Sequence, residues 1–222
     1  MEIVSIKGVV EVLTGLHIGG SDDIMKIGGI DNPVIKTSNG KPYIPGSSIK
    51  GKMRSLLEWK YGLVLTNGGK GKPFGSDRLD GLDDKKREKA EILIKLFGDS
   101  NASAEDKLKF GITRISVSDC YLISEQKNRE LTEAKYENVI DRRSGTALSP
   151  RQSERVSAGA KFDFDIRIKV LDSDNENELT AMVREGLNLI KQDYLGGSGS
   201  RGYGRVKFDI AEDNNAATKN ND

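Results

Sequence analysis

The chain has 222 residues, of which 35 are basic and 34 acidic, and its formal net charge is +1. This length fits one domain with insertions, and the balanced charge excludes a uniformly basic nucleic-acid-binding domain while leaving room for a local basic surface. A single cysteine, Cys120, excludes an intramolecular disulfide and a Cys-x-x-Cys metal site. The sequence has neither the apolar run of about 18 residues that a membrane span needs nor a signal peptide at its start. We therefore expect a cytoplasmic protein without a membrane partner.

Hydrophobic periodicity predicts four strands. Apolar and polar side chains alternate over residues 3–13 and again over 161–170, which is typical of strands with one buried face. Shorter strands are predicted within 110–123 and over 205–210.

Three segments show the spacing of amphipathic helices. Ile49, Met53 and Leu57 recur at helical intervals after a Pro-Gly turn. Either Ser47 or Ser48 is expected to cap this helix. The other two helices are predicted over about 84–97 and 178–194.

Without its insertions the chain has the order strand, helix, strand, strand, helix, strand. This βαββαβ order predicts an α+β fold with a ferredoxin-like palm, the sheet that RNA-recognition motifs share. We expect a single domain over residues 1–210, followed by a polar tail, 211–222, that is expected to be disordered. Large insertions are expected to project from the palm at 14–46, 62–98 and 124–160.

A glycine-rich loop, GGSGSRGYG at residues 196–204, is the most unusual segment of the sequence. Glycines allow a backbone to approach a ligand closely, and the exposed N–H groups of such a loop can bind phosphate. Arg201 and Arg205 add cationic donors suited to phosphate. The alternative interpretation is a tight connection between a helix and an edge strand.

Two further segments concentrate positive charge. The helix that begins near Ser47 has three cations in its first turns, where the helix dipole favours anions; the alternative is an ordinary helix with a solvated basic face. Residues 124–160 carry arginines that either pair with Asp141 and Glu154 or face a nucleic-acid backbone. The cations of these two segments are Lys50, Lys52, Arg54, Arg142, Arg143, Arg151 and Arg155.

Few residues of the sequence suit catalysis. His17 is the only histidine, so a zinc site is not supported, and no Gly-x-Ser-x-Gly or His-Glu-x-x-His motif occurs. Asp22, Asp23 and Asp31 are loop carboxylates, which most often shape turns. One such carboxylate could also bind Mg²⁺ together with the phosphate oxygens of a substrate.

Seven segments occur in a fixed order and together resemble one protein family: TGLHIGGSD, GGIDNPVIK, IPGSSIKGKMRSLLE, LFGDS, YENVIDRRSGTALSPRQSERV, FDF and DYLGGSGSRGYGRV. They are similar to segments of the RAMP superfamily and, within it, of the repeated backbone subunit of type III-A CRISPR effector complexes. The resemblance covers most of residues 1–208. It implies a palm like that of RNA-recognition motifs with a projecting thumb. It also implies copies that stack head to tail along a guide RNA, beside other type III-A effector subunits.

The resemblance implies the chemistry as well. Family members cut the complementary target RNA with an acidic residue and a divalent metal, Mg²⁺ or Mn²⁺, and this acidic residue falls on Asp31 in GGIDNPVI. Asp31 is therefore the expected catalytic residue and a candidate metal ligand. The residues expected to contact RNA are His17, Ser47, Ser48, Lys50, Lys52, Arg54, Arg142, Arg143, Arg151, Arg155, Gly196, Gly197, Gly199, Arg201 and Gly202. Two alternatives stay open: a guide-RNA scaffold without catalytic activity, and a stand-alone RAMP endonuclease that processes precursor RNA.

Overall fold

The computed structural model of the chain describes residues 1–20, 31–66, 71–99, 102–123 and 130–211. Its strands and helices are β1 (Glu2–Val12), α1 (Gly46–Lys60), α2 (Asp84–Phe97), α3 (Ala104–Phe110), β2 (Ile115–Val117), β3 (Thr132–Ile140), β4 (Ala147–Val156), β5 (Lys161–Val170), α4 (Glu176–Gln192) and β6 (Val206–Ile210).

Four strands form one antiparallel sheet in the order β2-β5-β1-β6. Its central strands pair along nearly their whole length, from Glu2 opposite Val170 to Glu11 opposite Lys161. Because β3 and β4 form a separate two-stranded sheet, the palm itself follows the predicted βαββαβ order, with α1 and α4 as its helices. The prediction of an α+β, ferredoxin-like palm is confirmed.

The core lies between the sheet and the two palm helices. The alternation of β5 buries Phe162, Phe164, Ile166 and Ile168, as its period-2 pattern predicted. The helices approach each other at Gly186 of α4, where an added Cβ would lie only 2.1 Å from Cγ of Met53 in α1. A side chain at this position would push α1 and α4 apart.

The start of α1 differs from the prediction. Neither Ser47 nor Ser48 caps the helix, because the helix already begins at Gly46. The N-cap residue is Pro45, whose side chain makes no hydrogen bond to the helix. The Gly46 N–H instead donates to Oδ1 of Asp119 at 2.8 Å. The capping partner therefore comes from the segment after β2, which local sequence could not indicate.

Residues 124–160 showed no periodicity of a core element, and the structure places a two-stranded hairpin within them. β3 and β4 pair from Thr132 opposite Val156 to Ile140 opposite Ala147. We call β3, β4 and their connecting turn, residues 141–146, the thumb hairpin. Its base joins the palm through an isolated bridge between Leu16 and Val156, while its tip is exposed.

No helix in the described ranges is long and apolar enough to cross a membrane. Of the predicted tail, only Ala211 falls inside the described residues, and residues 22 and 23 also fall outside them.

Candidate nucleic-acid interface

Asp31 lies beside the thumb hairpin. Its side chain is exposed, and Oδ2 accepts a hydrogen bond from the Gln152 N–H of β4 at 2.9 Å. The next residue, Asn32, forms a parallel bridge to Ser153, and its carbonyl accepts the Glu154 N–H at 2.9 Å. The chain around Asp31 therefore runs along the edge of β4 like an added strand, and one face of its carboxylate is left towards solvent.

A buried carboxylate, that of Glu154, fastens the residues that follow Asp31. Its Oε2 accepts the Val34 N–H at 3.0 Å, and its Oε1 accepts Lys36 Nζ at 2.6 Å. Burial acts to raise the pKa of Glu154, but the hydrogen bonds from Lys36 and Val34 outweigh it and hold the pKa below its usual range. Glu154 is therefore a charged anchor inside the base of the hairpin.

His17 connects the hairpin to the glycine-rich loop. Its Nδ1 lies 2.7 Å from the Glu154 carbonyl oxygen, and its own carbonyl accepts the Gly197 N–H at 2.9 Å. Because a carbonyl oxygen can only accept, this contact requires a proton on Nδ1. The loop approaches so closely that a Cβ on Gly196, whose φ is +75°, would lie 2.3 Å from the His17 oxygen.

Tyr203 anchors the glycine-rich loop on the other side of the hairpin. The ring is buried, and its hydroxyl donates to Oε1 of Glu137 at 3.0 Å. The Lys135 Nζ and the Arg155 guanidinium lie 4.3 and 4.7 Å from the ring centroid, within the range of cation–π attraction. The loop therefore connects α4 to the edge strand β6, as the alternative interpretation has it, and it also packs against the thumb hairpin.

Glu137 is the centre of a group of cations. Its carboxylate lies 3.4 Å from Lys135 Nζ, 3.8 Å from Arg151 Nε and 3.5 Å from Arg201 Nη1. Burial acts to raise the pKa of Glu137, but the Tyr203 hydroxyl and the neighbouring cations hold it below its usual value. Since several cations share this one carboxylate, the face of the hairpin towards the loop has an excess of positive charge that suits a phosphate backbone.

Two arginines of the thumb hairpin form ion pairs, but with other carboxylates than the predicted Asp141 and Glu154. Arg155 pairs with Glu133 and Arg151 with Glu137, and neither pairs with Asp141 or Glu154. The Asp141 Oδ1 atom instead accepts the backbone N–H groups of residues 143 and 144, both at 2.8 Å, which shapes the hairpin turn. The turn displays two further exposed arginines, Arg142 and Arg143.

The first turns of α1 lie next to the glycine-rich loop. Tyr194 joins them, because the Lys52 Nζ lies 3.6 Å above its ring and a Cβ on Gly199 would lie 2.1 Å from the same ring. Lys52 also pairs with Asp193 at 2.7 Å. The structure thus brings two predicted RNA-binding segments, 47–54 and 196–204, to one surface.

The cations of α1 differ in their surroundings. Arg54 donates to Glu58 at 2.8 Å and to the Phe74 carbonyl at 2.7 Å, which ties the helix to the following insertion. Lys50 is half-buried, and within the described ranges no carboxylate pairs with it. Burial and the charge of Arg54 lower the pKa of Lys50. Ser47 is exposed and Ser48 half-buried at the same end of the helix.

Comparison with known proteins decides the family. The model of the RAMP superfamily matches residues 9–207. The chain belongs to the RAMP superfamily. Its relatives include three proteins named "CRISPR system Cms endoribonuclease Csm3". That of Methanocaldococcus jannaschii is 40% identical over 92% of this chain and 78% of its own length. That of Streptococcus thermophilus is 41% identical over 88% and 82%, and that of Enterococcus italicus 39% over 93% and 90%.

A solved structure has the same fold as this RAMP protein. It is a chain in the cryo-EM structure of the type III-B Cmr-beta complex bound to cognate target RNA, with a TM-score of 0.59 and 18% sequence identity. The match covers 95% of this chain and 60% of that chain, so this RAMP protein spans less than two thirds of its structural neighbour.

The acidic residues of this RAMP protein do not build a metal cage by themselves. Within the residues that the structure describes, no three His, Cys, Asp or Glu side chains lie close enough together to hold a metal ion. Asp31 presents a single carboxylate, and its Oδ1 accepts no hydrogen bond from the described part of the chain. One such ligand fits a hard cation that takes its remaining ligands from phosphate and water.

Sequence reasoning missed three residues of the interface. From the sequence, Glu154 is expected only as a partner of arginines, and no role is predicted for Glu137 or Tyr203. Tyr203 carried a usable signal, since it is an aromatic residue between two glycines of an otherwise small and polar loop. The roles of both glutamates depend on contacts across more than 60 residues of chain and leave no local pattern.

Proposed function

We propose that this RAMP protein is the endoribonuclease backbone subunit of a type III CRISPR effector complex, and of type III-A among these. The observation that carries the proposal is the exposed Asp31 carboxylate held against the thumb hairpin, beside a surface of cations and glycines. The relatives named as Csm3 endoribonucleases support it, since they match along most of their own length. We place the protein in the cytoplasm, where guide and target RNA meet.

Guide RNA would lie along the surface formed by the start of α1, His17 and the glycine-rich loop. Cations there neutralise phosphates without reading bases, and sequence is read by guide–target pairing. The low aromatic content, 6%, fits this division because few stacking platforms are needed. Copies of the chain would stack head to tail through a heterologous interface that extends along the guide, next to other effector subunits.

Cleavage would occur where the thumb hairpin distorts the guide–target duplex. A nucleotide that is displaced there can bring its ribose 2′-hydroxyl into line with the adjacent phosphate. In one form of this step, Oδ1 of Asp31 would accept the proton of the 2′-hydroxyl while Oδ2 stays bonded to Gln152. The 2′-oxygen would bond to phosphorus as the 5′-oxygen of the next nucleotide leaves and takes a proton from water, which gives a cyclic phosphate. In the alternative form, Asp31 would instead hold a divalent cation, Mg²⁺ or Mn²⁺, together with RNA phosphate oxygens, and the cation would neutralise charge that develops on the phosphate.

The test is cleavage by the assembled complex. With guide RNA, Mg²⁺ and complementary target RNA, we expect target cuts at regular intervals, and we expect chelation to stop them. A target with 2′-deoxyribose at the cut nucleotides should bind equally well and stay intact. Binding without cleavage in Mg²⁺ would favour the scaffold alternative, and processing of precursor RNA in chelator would favour the stand-alone endonuclease.

Lys50 and Arg54 are expected to respond differently to loss of charge. The Lys50→Gln variant should bind guide RNA more weakly, and the slope of log K against log salt should become shallower by about 0.7–0.9, the value of one phosphate contact. Arg54→Gln should mainly lower stability, because Arg54 supports Glu58 and the Phe74 carbonyl. Filter binding across salt concentrations and urea unfolding separate the two effects.

The control for this pair is Lys85→Gln, which removes an exposed cation at the start of α2. It should leave both the salt slope and the unfolding midpoint unchanged. A Lys50→Gln variant with the wild-type salt slope would show that Lys50 makes no phosphate contact.

A further inference from the structure

The segment of Asp31 has two kinds of attachment to the thumb hairpin. The first is made by the backbone of Gln152, Ser153 and Glu154, at the exposed edge of β4. The Asn32 side chain adds only long contacts of 3.5 Å there. The second attachment is the Glu154 carboxylate, which is buried and bonded to residues 34 and 36.

We propose that Glu154 is a positioning residue for cleavage: its buried carboxylate holds the Asp31 segment in register with the thumb hairpin. This inference rests on the proposed function. Glu154 touches no reacting atom and acts through the two residues of the Asp31 segment that it bonds, Val34 and Lys36. Glu154 thereby fixes the position of the Asp31 carboxylate relative to the thumb hairpin.

The chemistry of the contact favours a carboxylate at this position. Two donors of the Asp31 segment face the two carboxylate oxygens, namely the Val34 N–H on Oε2 and the Lys36 ammonium on Oε1. The Thr132 side chain of β3 hydrogen-bonds to the same carboxylate. The side chain of Glu154 is only 7% exposed, so water cannot easily replace either partner. An amide has one acceptor oxygen and one NH₂ group, and it would therefore leave a buried donor facing another donor.

The backbone of Glu154 also makes hydrogen bonds, to His17 and to Asn32. The carbonyl of Glu154 accepts His17 Nδ1, and its N–H donates to Asn32. Residue 154 therefore contacts both the Asp31 segment and the histidine that joins the glycine-rich loop. A small shift of Asp31 relative to the target would be costly, since a misplacement of about 1 Å can reduce a rate about 100-fold.

The test uses Glu154→Gln in the assembled complex with guide RNA. We expect unchanged target affinity and a single-turnover cleavage rate that is about 10- to 100-fold lower, because only the geometry of Asp31 is altered. Hydrogen–deuterium exchange should be faster in the peptide that covers residues 31–36.

The chain offers a matched control in Glu185→Gln. Glu185 of α4 also accepts a lysine on one oxygen, Lys60, and a second donor on the other, the Tyr61 hydroxyl at 2.6 Å. It lies on α4, away from the thumb hairpin. The Glu185 side chain is 31% exposed, so this control reports the loss of a lysine-bonded carboxylate elsewhere in the chain. The cleavage rate and the exchange of residues 31–36 should stay at wild-type values.

A second substitution separates positioning from general instability. In the double variant Glu154→Gln/Lys36→Met, the amide oxygen can accept the Val34 N–H and no ammonium faces the NH₂ group. We expect it to cut at least several-fold faster than Glu154→Gln alone. Lys36→Met alone leaves the buried carboxylate without its cation and should cut more slowly than wild type.

Three results would overturn the inference. These are wild-type cleavage by Glu154→Gln, unchanged exchange of residues 31–36, and no recovery in the double variant. If the wild-type complex bound target without cutting it, the proposed function and this role of Glu154 would both fall. If the wild-type and Glu154→Gln complexes cut equally well, the positioning role of Glu154 would be wrong and the proposed function would stand.

Discussion

Asp31→Asn is expected to leave guide and target binding intact and to lower the cleavage rate of the complex by about 10²- to 10⁴-fold, the usual contribution of a positioned acid–base group. Asparagine keeps an oxygen that can accept the Gln152 N–H, so the segment should stay against β4. What it removes is the negative charge of the carboxylate. Single-turnover cleavage and equilibrium binding of target RNA, measured on the same complex, provide the two readouts.

The matched control for this prediction is Asp83→Asn. Asp83 is also an exposed aspartate whose side chain accepts a backbone N–H, here that of Lys86 at the start of α2. Asparagine caps helices about as well as aspartate, so this variant should cut at the wild-type rate. If Asp31→Asn cuts as fast as Asp83→Asn, the carboxylate of Asp31 has no catalytic role, and the scaffold alternative gains support.

Arg114→Met is expected to cost about 3–5 kcal/mol of unfolding free energy, because it leaves a buried carboxylate without its cation. The side chains of Arg114 and Asp174 are almost fully buried, and Nε of Arg114 lies 2.8 Å from Oδ2 of Asp174. Arg114 also donates to the carbonyls of Phe110 and Ile112 at the end of α3. The pair thus ties the approach to β2 to the loop before α4, and urea unfolding at neutral pH measures its loss.

Two comparisons test the cause of this loss. Adding Asp174→Asn to Arg114→Met removes the stranded charge and should restore part of the stability. Arg87→Met removes a partly exposed arginine of α2 whose ion pairs are 3.4 and 3.9 Å long, and should cost no more than about 1 kcal/mol. Equal losses in Arg114→Met and Arg87→Met would contradict the prediction.

The same pair predicts how stability depends on pH. Burial acts to raise the pKa of Asp174, but the hydrogen bonds from Arg114 and Leu171 outweigh it and lower the pKa. A lowered folded-state pKa means that the contribution of Asp174 is present at neutral pH and is lost as the pH falls through that value. The acid limb of the stability curve should therefore be shallower in Arg114→Met than in wild type.

Local patterns were sufficient for the palm. The alternation of residues 161–170 predicted β5 with its bounds and its buried face, because a strand between helices and solvent must place apolar groups at every second position. The helical spacing around Met53 predicted α1 in the same way. The thumb strands gave no such signal, since both faces of a projecting hairpin meet water or charged groups.

The candidate site, like the fold, was determined in part by the sequence and in part by tertiary contacts. By itself the sequence determined the order of the palm elements and, through its resemblance to the RAMP superfamily, the choice of Asp31. Only the tertiary structure decided what holds that residue: Asp31 and Gln152 are 121 positions apart, Val34 and Glu154 are 120 apart, and Tyr203 and Glu137 are 66 apart. Periodicity reports which side of a strand or helix is buried, but not which distant carboxylate meets a given N–H group. Those pairings follow from the packing of the thumb hairpin between the Asp31 segment and the glycine-rich loop.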